Sequence, residues 1–368
     1  YQESSSTVSG TEILRSNSKT SYNGNYGLNA QWTVYNGSKR LKTIEQEKLN
    51  NRVAELDVAT SEKNIEESIT QTYVQILYAA ESVKVNESTL AVSEAQCDRG
   101  KELLAAGSLS KADLAQLEAQ VSTDRYQLVT AQTTLQNYKL QLKQLLELDG
   151  EEEMNLYLPA LDNSKVLSPL PTKTDVYHAA LAVRPEIESG KLNIQASELN
   201  IDIARAGYMP SVSLSAGIGT NNTSGSDFTF AQQVKNGWNN SLGLSISVPI
   251  FNNRQTKSAV QKAKLQRETS MLNLLDEQKT LYKTIEGLWL DANSAQQRYV
   301  AAQEKLRSTQ TSFDLVSAQF NLGMKNTVEL LTEKNNLLSA QQETLQAKYM
   351  AILNAQLLKF YQGGDIEL

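Results

Sequence analysis

Residues able to do chemistry are sparse in this chain, and they do not converge. His178 is the single histidine and Cys97 the single cysteine. One histidine excludes a multi-histidine metal site. One cysteine excludes an internal disulfide framework and a cysteine-based zinc site. His178 sits in a helical-looking stretch, Tyr177-His178-Ala179-Ala180, and reads as structural. Gly217-Ile218-Gly219 is too short for a phosphate loop and has no helix after it. No Gly-x-x-x-x-Gly-Lys-Ser/Thr run occurs. Glu151-Glu152-Glu153 reads as a solvated surface run. No nucleophile, acid–base pair, metal or cofactor is therefore expected, and the chain is not read as an enzyme. Two carboxylates do have a clear local chemistry. Asp113 follows Ser110 by three residues and Glu329 follows Asn326 by three, the spacing of a helix capping box.

The elements that carry these carboxylates come in two copies. Gly27-Leu28 matches Gly243-Leu244, 216 positions later. At the same offset Tyr35-Asn36 meets Phe251-Asn252, Ile69 meets Ile285, Tyr73-Val74 meets Trp289-Leu290, Gly107 meets Gly323 and Leu114 meets Leu330. Copy two is preceded by a helical stretch, Asp175 to Ala206, and a strand-like stretch, Ser211 to Thr220. Copy one has no such lead-in, so a complete protein is expected to carry a further helix and strand ahead of it. The predicted division is residues 1–148 for repeat one, 149–174 for a connector packed outside the helical body, and 175–368 for repeat two.

Each copy begins with strict period-two alternation. Tyr26, Leu28, Ala30, Trp32 and Val34 share one face; Gly27, Asn29, Gln31 and Thr33 share the other. In copy two Leu242, Leu244, Ile246, Val248 and Ile250 oppose Ser241, Gly243, Ser245 and Ser247. A soluble half-buried sheet would alternate in this way. So would a transmembrane barrel, whose tilted strands need about 9–11 residues. Trp32, Tyr26, Tyr22 and Trp238 lie within or near strand ends, as interfacial aromatics would. Three strands cannot close a barrel, so that reading requires oligomerisation. A long helical segment follows each strand, from Ser38 to Ala106 and from Arg254 to Leu322, each about 100 Å if fully helical. Each ends in a glycine turn, Ala106-Gly107-Ser108-Leu109-Ser110 or Leu322-Gly323-Met324-Lys325-Asn326. The returning helix carries heptads. Leu114, Val121, Leu128, Leu135 and Leu142 form one row, and Leu117, Ala131, Tyr138 and Leu145 a second that Asp124 breaks. Leu331, Leu338, Leu345 and Ile352 repeat the pattern.

Composition agrees with long, uninterrupted elements: 368 residues hold only six prolines. The 35 basic and 41 acidic side chains leave a net charge of −6, which argues against a nucleic-acid partner. No apolar run reaches the roughly 20 residues of a membrane-spanning helix.

Taken in order, these pieces resemble the TolC-type outer-membrane efflux proteins of Gram-negative bacteria. Ala204-Arg205-Ala206-Gly207-Tyr208-Met209-Pro210-Ser211 is similar to that family's helix-to-strand junction, and Ser247-Val248-Pro249-Ile250-Phe251-Asn252-Asn253 to its strand-to-helix junction. The two glycine tips with Asp113-Leu114 and Glu329-Leu330-Leu331 are similar to its periplasmic hairpin tips. The resemblance implies a mainly α fold with a β contribution: a homotrimer whose helical hairpins form an α-barrel tunnel joined to a transmembrane β-barrel. It implies an outer-membrane location with a long periplasmic extension. The implied function is a passive exit duct of a tripartite efflux or type I secretion system, with a periplasmic adaptor and an inner-membrane pump as partners. Trp32, Val34, Leu244, Ile246 and Val248 would face lipid, and Gly107, Ser108, Leu109, Gly323 and Met324 would contact the adaptor. In a trimer Glu329 would form a carboxylate ring. The family often repeats an acidic residue one turn later, where this chain has Thr332. Lys325 and Asp113 occupy positions of a gate-closing interaction between hairpins, and Phe320 that of an aromatic gate partner. The alternative is a soluble periplasmic coiled-coil adaptor without a channel, which would need no lipid-facing strand rows.

Overall fold

The computed structural model describes residues 22–148, 154–159, 163 and 166–366. The Glu151-Glu152-Glu153 triplet and any lead-in to copy one lie outside the described residues. The elements run β1 (Asn23–Asn36), α1 (Lys39–Ala105), α2 (Lys111–Leu145), α3 (Lys173–Val183), α4 (Pro185–Arg205), β2 (Ser211–Thr223), α5 (Phe230–Asn236), β3 (Asn239–Ser247), α6 (Gln255–Asn321) and α7 (Thr327–Tyr361). The 216-residue offset maps both ends of α1 onto α6 and both ends of α2 onto α7. The chain forms two compact units that cut across these repeats: Tyr1–Asn50 with Asn193–Ser270, and Asn51–Leu192 with Met271–Leu368.

The first unit holds an antiparallel sheet in the order β1-β2-β3. Alternation is legible because each strand keeps one kind of residue per face. β1 bulges between Thr33 and Tyr35, which face Ser213 and Val212. Val34 is thus an extra, unpaired residue, and Tyr35 takes the place in the apolar row expected of it. β3 ends at Ser247, so Val248 lies beyond the strand rather than in it. Pro249, which has no N–H to donate, follows directly. At the strand-to-helix junctions two successive residues adopt positive φ: Gly37 (66°) and Ser38 (64°), then Asn253 (50°) and Arg254 (62°) at the matching positions. Gly37 is also held by space, since a Cβ there would stand 2.6 Å from Met209 Cβ. The short helix α5, not expected from the sequence, is closed by a capping box between Thr229 and Gln232. It joins β2 through Thr220 Oγ1, which donates to the Val234 carbonyl at 2.8 Å.

The second unit is a helical body with three apolar clusters. One gathers Val74, Leu77, Tyr299, Ala347, Ile352 and Leu357. Another gathers Val176, Ile187, Ile285, Ala292 and Leu358. The third joins Cys97, Leu117, Phe313, Phe320, Leu330 and Leu337. The stretch from Asp175 to Ala206 is two helices rather than one. Arg184 takes the extended conformation that a following proline favours (φ −71°, ψ 126°), and Pro185 opens α4. The connector does not stay outside the body. Val166 is 1% exposed within the first cluster. Gln296 Nε2 donates to the carbonyls of Val166 (2.9 Å) and Ser168 (2.8 Å), and Trp289 Nε1 to that of Pro171 (3.0 Å).

Candidate functional site

In the first unit, the register sorts the sheet by face. Leu28, Ala30, Trp32 and Tyr35 pair with Ile218, Ala216, Leu214 and Val212. Of these, Ala216, Leu214 and Val212 pair in turn with Leu242, Leu244 and Ile246. The opposite face carries Gly27, Asn29, Gln31 and Thr33, then Gly219, Gly217, Ser215 and Ser213, then Asn239, Ser241, Gly243 and Ser245. The apolar face is not covered: Leu28 is 73%, Leu242 79% and Ile246 64% exposed. Exposed aromatics stand at both ends of the sheet. Tyr22, Tyr26, Phe228 and Trp238 lie at one, Tyr35, Tyr208 and Phe251 at the other. The second group was missed in the sequence because Tyr208 and Phe251 fall outside the alternating runs. From Tyr26 to Tyr35 the strand advances about 30 Å, close to the apolar band of a tilted outer-membrane strand.

In the second unit, the two tips are built alike. Gly107 (φ 75°) and Gly323 (φ 72°) terminate α1 and α6. Ser108 N donates to the Leu103 carbonyl (2.8 Å) and Met324 N to that of Gln319 (2.9 Å), each beside a second turn bond to the glycine N–H. This is the left-handed helix cap that glycine permits. Ser110 Oγ then accepts from Asp113 N at 3.0 Å, and Asn326 Oδ1 from Glu329 N at 2.9 Å. Glu329 closes the box by accepting from Asn326 N at 3.2 Å. Met324 is exposed, as are Leu322 and Val328 beside it; Ser108 is exposed and Leu109 half-buried.

The predicted gate residues lie at or beside the tips. Lys325 Nζ donates to Glu329 Oε1 at 2.6 Å, within its own tip. Asp113 instead accepts from Ser110 Oγ at 2.6 Å. Within one chain, then, Lys325 and Asp113 each have a local partner. The Lys325 hydrogen bond, then the Asn326 N–H, holds the Glu329 carboxyl below the usual carboxylate range. Thr332 is exposed and its hydroxyl donates back to the Val328 carbonyl at 2.8 Å. Phe320 is 3% exposed and packs with Cys97, Leu117 and Leu330. Within one chain it is part of the tip's core.

No group of three or more histidine, cysteine, aspartate or glutamate residues that could hold a metal occurs among the described residues. No helix among them is long and apolar enough to cross a membrane. His178 is exposed, with its ring 5.9 Å from that of Tyr177.

The family described as "Outer membrane efflux protein" matches residues 1–147 and 176–364. The chain belongs to this outer membrane efflux protein family. Among its relatives, outer membrane protein TolC of Salmonella enteritidis is 23% identical over 341 residues, covering 90% of this chain and 67% of TolC. The cation efflux system protein CusC of Escherichia coli K12 is 25% identical over 360 residues, covering 95% of this chain and 75% of CusC. The fold matches a crystal structure of CusC, described in terms of transmembrane channel formation, with a TM-score of 0.79 at 21% identity. That match covers 96% of this chain and 80% of the CusC chain. The chain thus spans between two thirds and four fifths of these relatives.

One feature of this efflux-family chain was not recognised as a site in its sequence. Asp124 breaks the second leucine row of α2, and the structure buries it at 1% exposure. Lys334 of α7, 3% exposed, donates to Asp124 Oδ2 and to Ser93 Oγ of α1. Ser93 Oγ donates to the same Asp124 oxygen, and Gln120 Nε2 donates to Oδ1 at 2.9 Å. Burial pulls the Lys334 ammonium down from the ordinary lysine range, against the opposing pull of Asp124. The signal in the sequence was the charge in an apolar row. Its partner, 210 residues away, gave none.

Proposed function

We propose that this protein is an outer-membrane exit duct, a passive channel that passes drugs, small molecules or proteins out of a Gram-negative cell. The observation that carries this reading is the sheet of the first unit, which has one exposed face of large apolar side chains and one of serine, glycine, asparagine and threonine. Lipid covers the first and a water-filled lumen the second. β1 and β3 each pair on one side only. Copies of the chain join these edges into one closed barrel, in a homotrimer. The glycine tips Gly107-Ser108-Leu109 and Gly323-Met324, with exposed Leu322, meet a periplasmic adaptor that links the duct to an inner-membrane pump. Glu329 lines the tip end as a ring of three carboxylates, with Thr332 one turn beyond. Lys325 and Asp113 exchange their local partners for each other across neighbouring hairpins when the end closes. Membership of the outer membrane efflux protein family supports this reading, as does the likeness to TolC and CusC.

A soluble periplasmic adaptor would have no use for an uncovered apolar sheet face. The test is fractionation of Gram-negative cells producing the protein, followed by planar-bilayer recording. The duct reading expects the protein in the outer-membrane fraction and discrete ion conductance after purification. Recovery in the soluble periplasm without conductance would favour the adaptor.

A further inference from the structure

α2 and α7 each carry an aliphatic row with a seven-residue period, and such a period is nearly blind to axial position. On α2, Leu114, Val121, Leu128, Leu135 and Leu142 recur every seven residues; on α7, Leu331, Leu338, Leu345 and Ile352 do the same. A slip of seven residues brings aliphatic side chains back onto aliphatic side chains. It also moves one helix along the other by about 10 Å. The buried Ser93–Asp124–Lys334 cluster is the feature that does not repeat. After a slip of one heptad, Asp124 would face Thr327 or Gln341, and Lys334 would face Leu117 or Ala131. Thr327 and Leu117 are themselves buried. Either slip leaves both Asp124 and Lys334 without the counter-charge each has now.

We infer that the Asp124–Lys334 ion pair, with Ser93, is a register lock that sets the axial position of the first hairpin against α7 and so keeps the two glycine tips level. A single polar residue in a coiled-coil seam can specify register at a cost in stability. Buried ion pairs are better attested in that role than as sources of stability. Here the two halves of the lock lie on different hairpins: Ser93 on α1 and Asp124 on α2 hold the lysine that α7 supplies. The 216-residue repeat places Ala340 and Glu118 at the positions equivalent to Asp124 and Lys334. The pair therefore occurs once per chain and admits one arrangement of the hairpins. This inference does not depend on the duct reading.

The test is a distance between the tips. Spin labels are placed on Ser108→Cys and Met324→Cys in a Cys97→Ser background, with labelled chains diluted among unlabelled ones. Pulsed electron paramagnetic resonance then reads the distribution. The parent should give one population. Asp124→Leu/Lys334→Leu should melt at or above the parent temperature yet show a second, longer-distance population, as an axial offset of about 10 Å adds in quadrature to the lateral separation of the tips. Moving the carboxylate one heptad, with Asp124→Ala/Ala131→Asp, should shift the main population to that longer distance. Exchanging the charges, with Asp124→Lys/Lys334→Asp, should leave a single parental distance. A parental distribution in the Leu/Leu variant, or in the variant with the moved carboxylate, would overturn the lock.

Discussion

Glu329 shows how one side chain can hold two roles. Its carboxylate closes the cap of α7 and pairs with Lys325. Its folded-state pKa lies below the usual value. The stabilisation it brings is therefore complete above the unfolded carboxylate value and fades as pH falls through the folded one. Glu329→Gln should flatten the decline of melting temperature below about pH 4.5, measured by circular dichroism. In bilayers the same variant should reduce cation selectivity, and Thr332→Asp should raise it, read as reversal potential across a salt gradient. An unchanged potential in both would leave Glu329 as a cap alone. Lys334 lies at the other extreme of burial. Lys334→Met leaves Asp124 charged and unpaired in the seam, which should cost about 3–5 kcal/mol in denaturant unfolding. An effect below 1 kcal/mol would mean that water reaches Asp124.

The elements carry their own tests. The faces of β3 are opposite in kind, so position along the strand matters less than parity. Ile246→Arg should block membrane assembly at a cost of about 2–4 kcal/mol near mid-membrane. Ser245→Arg, one residue away on the polar face, should assemble nearly as the parent does. Equal recovery of both in the outer membrane would contradict a lipid-facing row. The tips test a backbone property. No atom lies within 4 Å of a Cβ built on Gly323, so only its φ of 72° opposes a side chain. Gly323→Ala should destabilise by about 1–2 kcal/mol, whereas Gly323→Asn should cost less because asparagine tolerates the left-handed region. Thermal denaturation distinguishes the two, and equal losses would point to crowding by a partner.

At the scale of the whole molecule, the proposed barrel requires that other copies meet the two open sheet edges and that lipid cover the exposed apolar face. The detergent-solubilised protein should have the mass of three protomers, measured by light scattering with the detergent contribution removed. The Ile246→Arg variant should yield protomers where the parent yields trimers. A parent that remains a monomer would sink the shared barrel.

Much of this architecture was legible in the chain itself. The 216-residue offset, the alternation of the strands, the glycine turns and the caps are local patterns set by backbone geometry and by residues a few positions apart. They placed both ends of α1 and α6, and the starts of α2 and α7, within one residue of where they lie. Tertiary structure decided what depends on contacts distant in sequence. The bulge at Val34 follows from pairing with β2. Phe320 is core because Cys97 and Leu117 close over it. Val166 is buried because α6 supplies donors for the connector carbonyls. Asp124, which breaks a heptad when α2 is read alone, becomes half of an ion pair once α7 brings Lys334 beside it. A periodic pattern records which face of a helix is buried. It does not record what that face meets, since a buried charge is tolerated only by a partner that folding must first bring near.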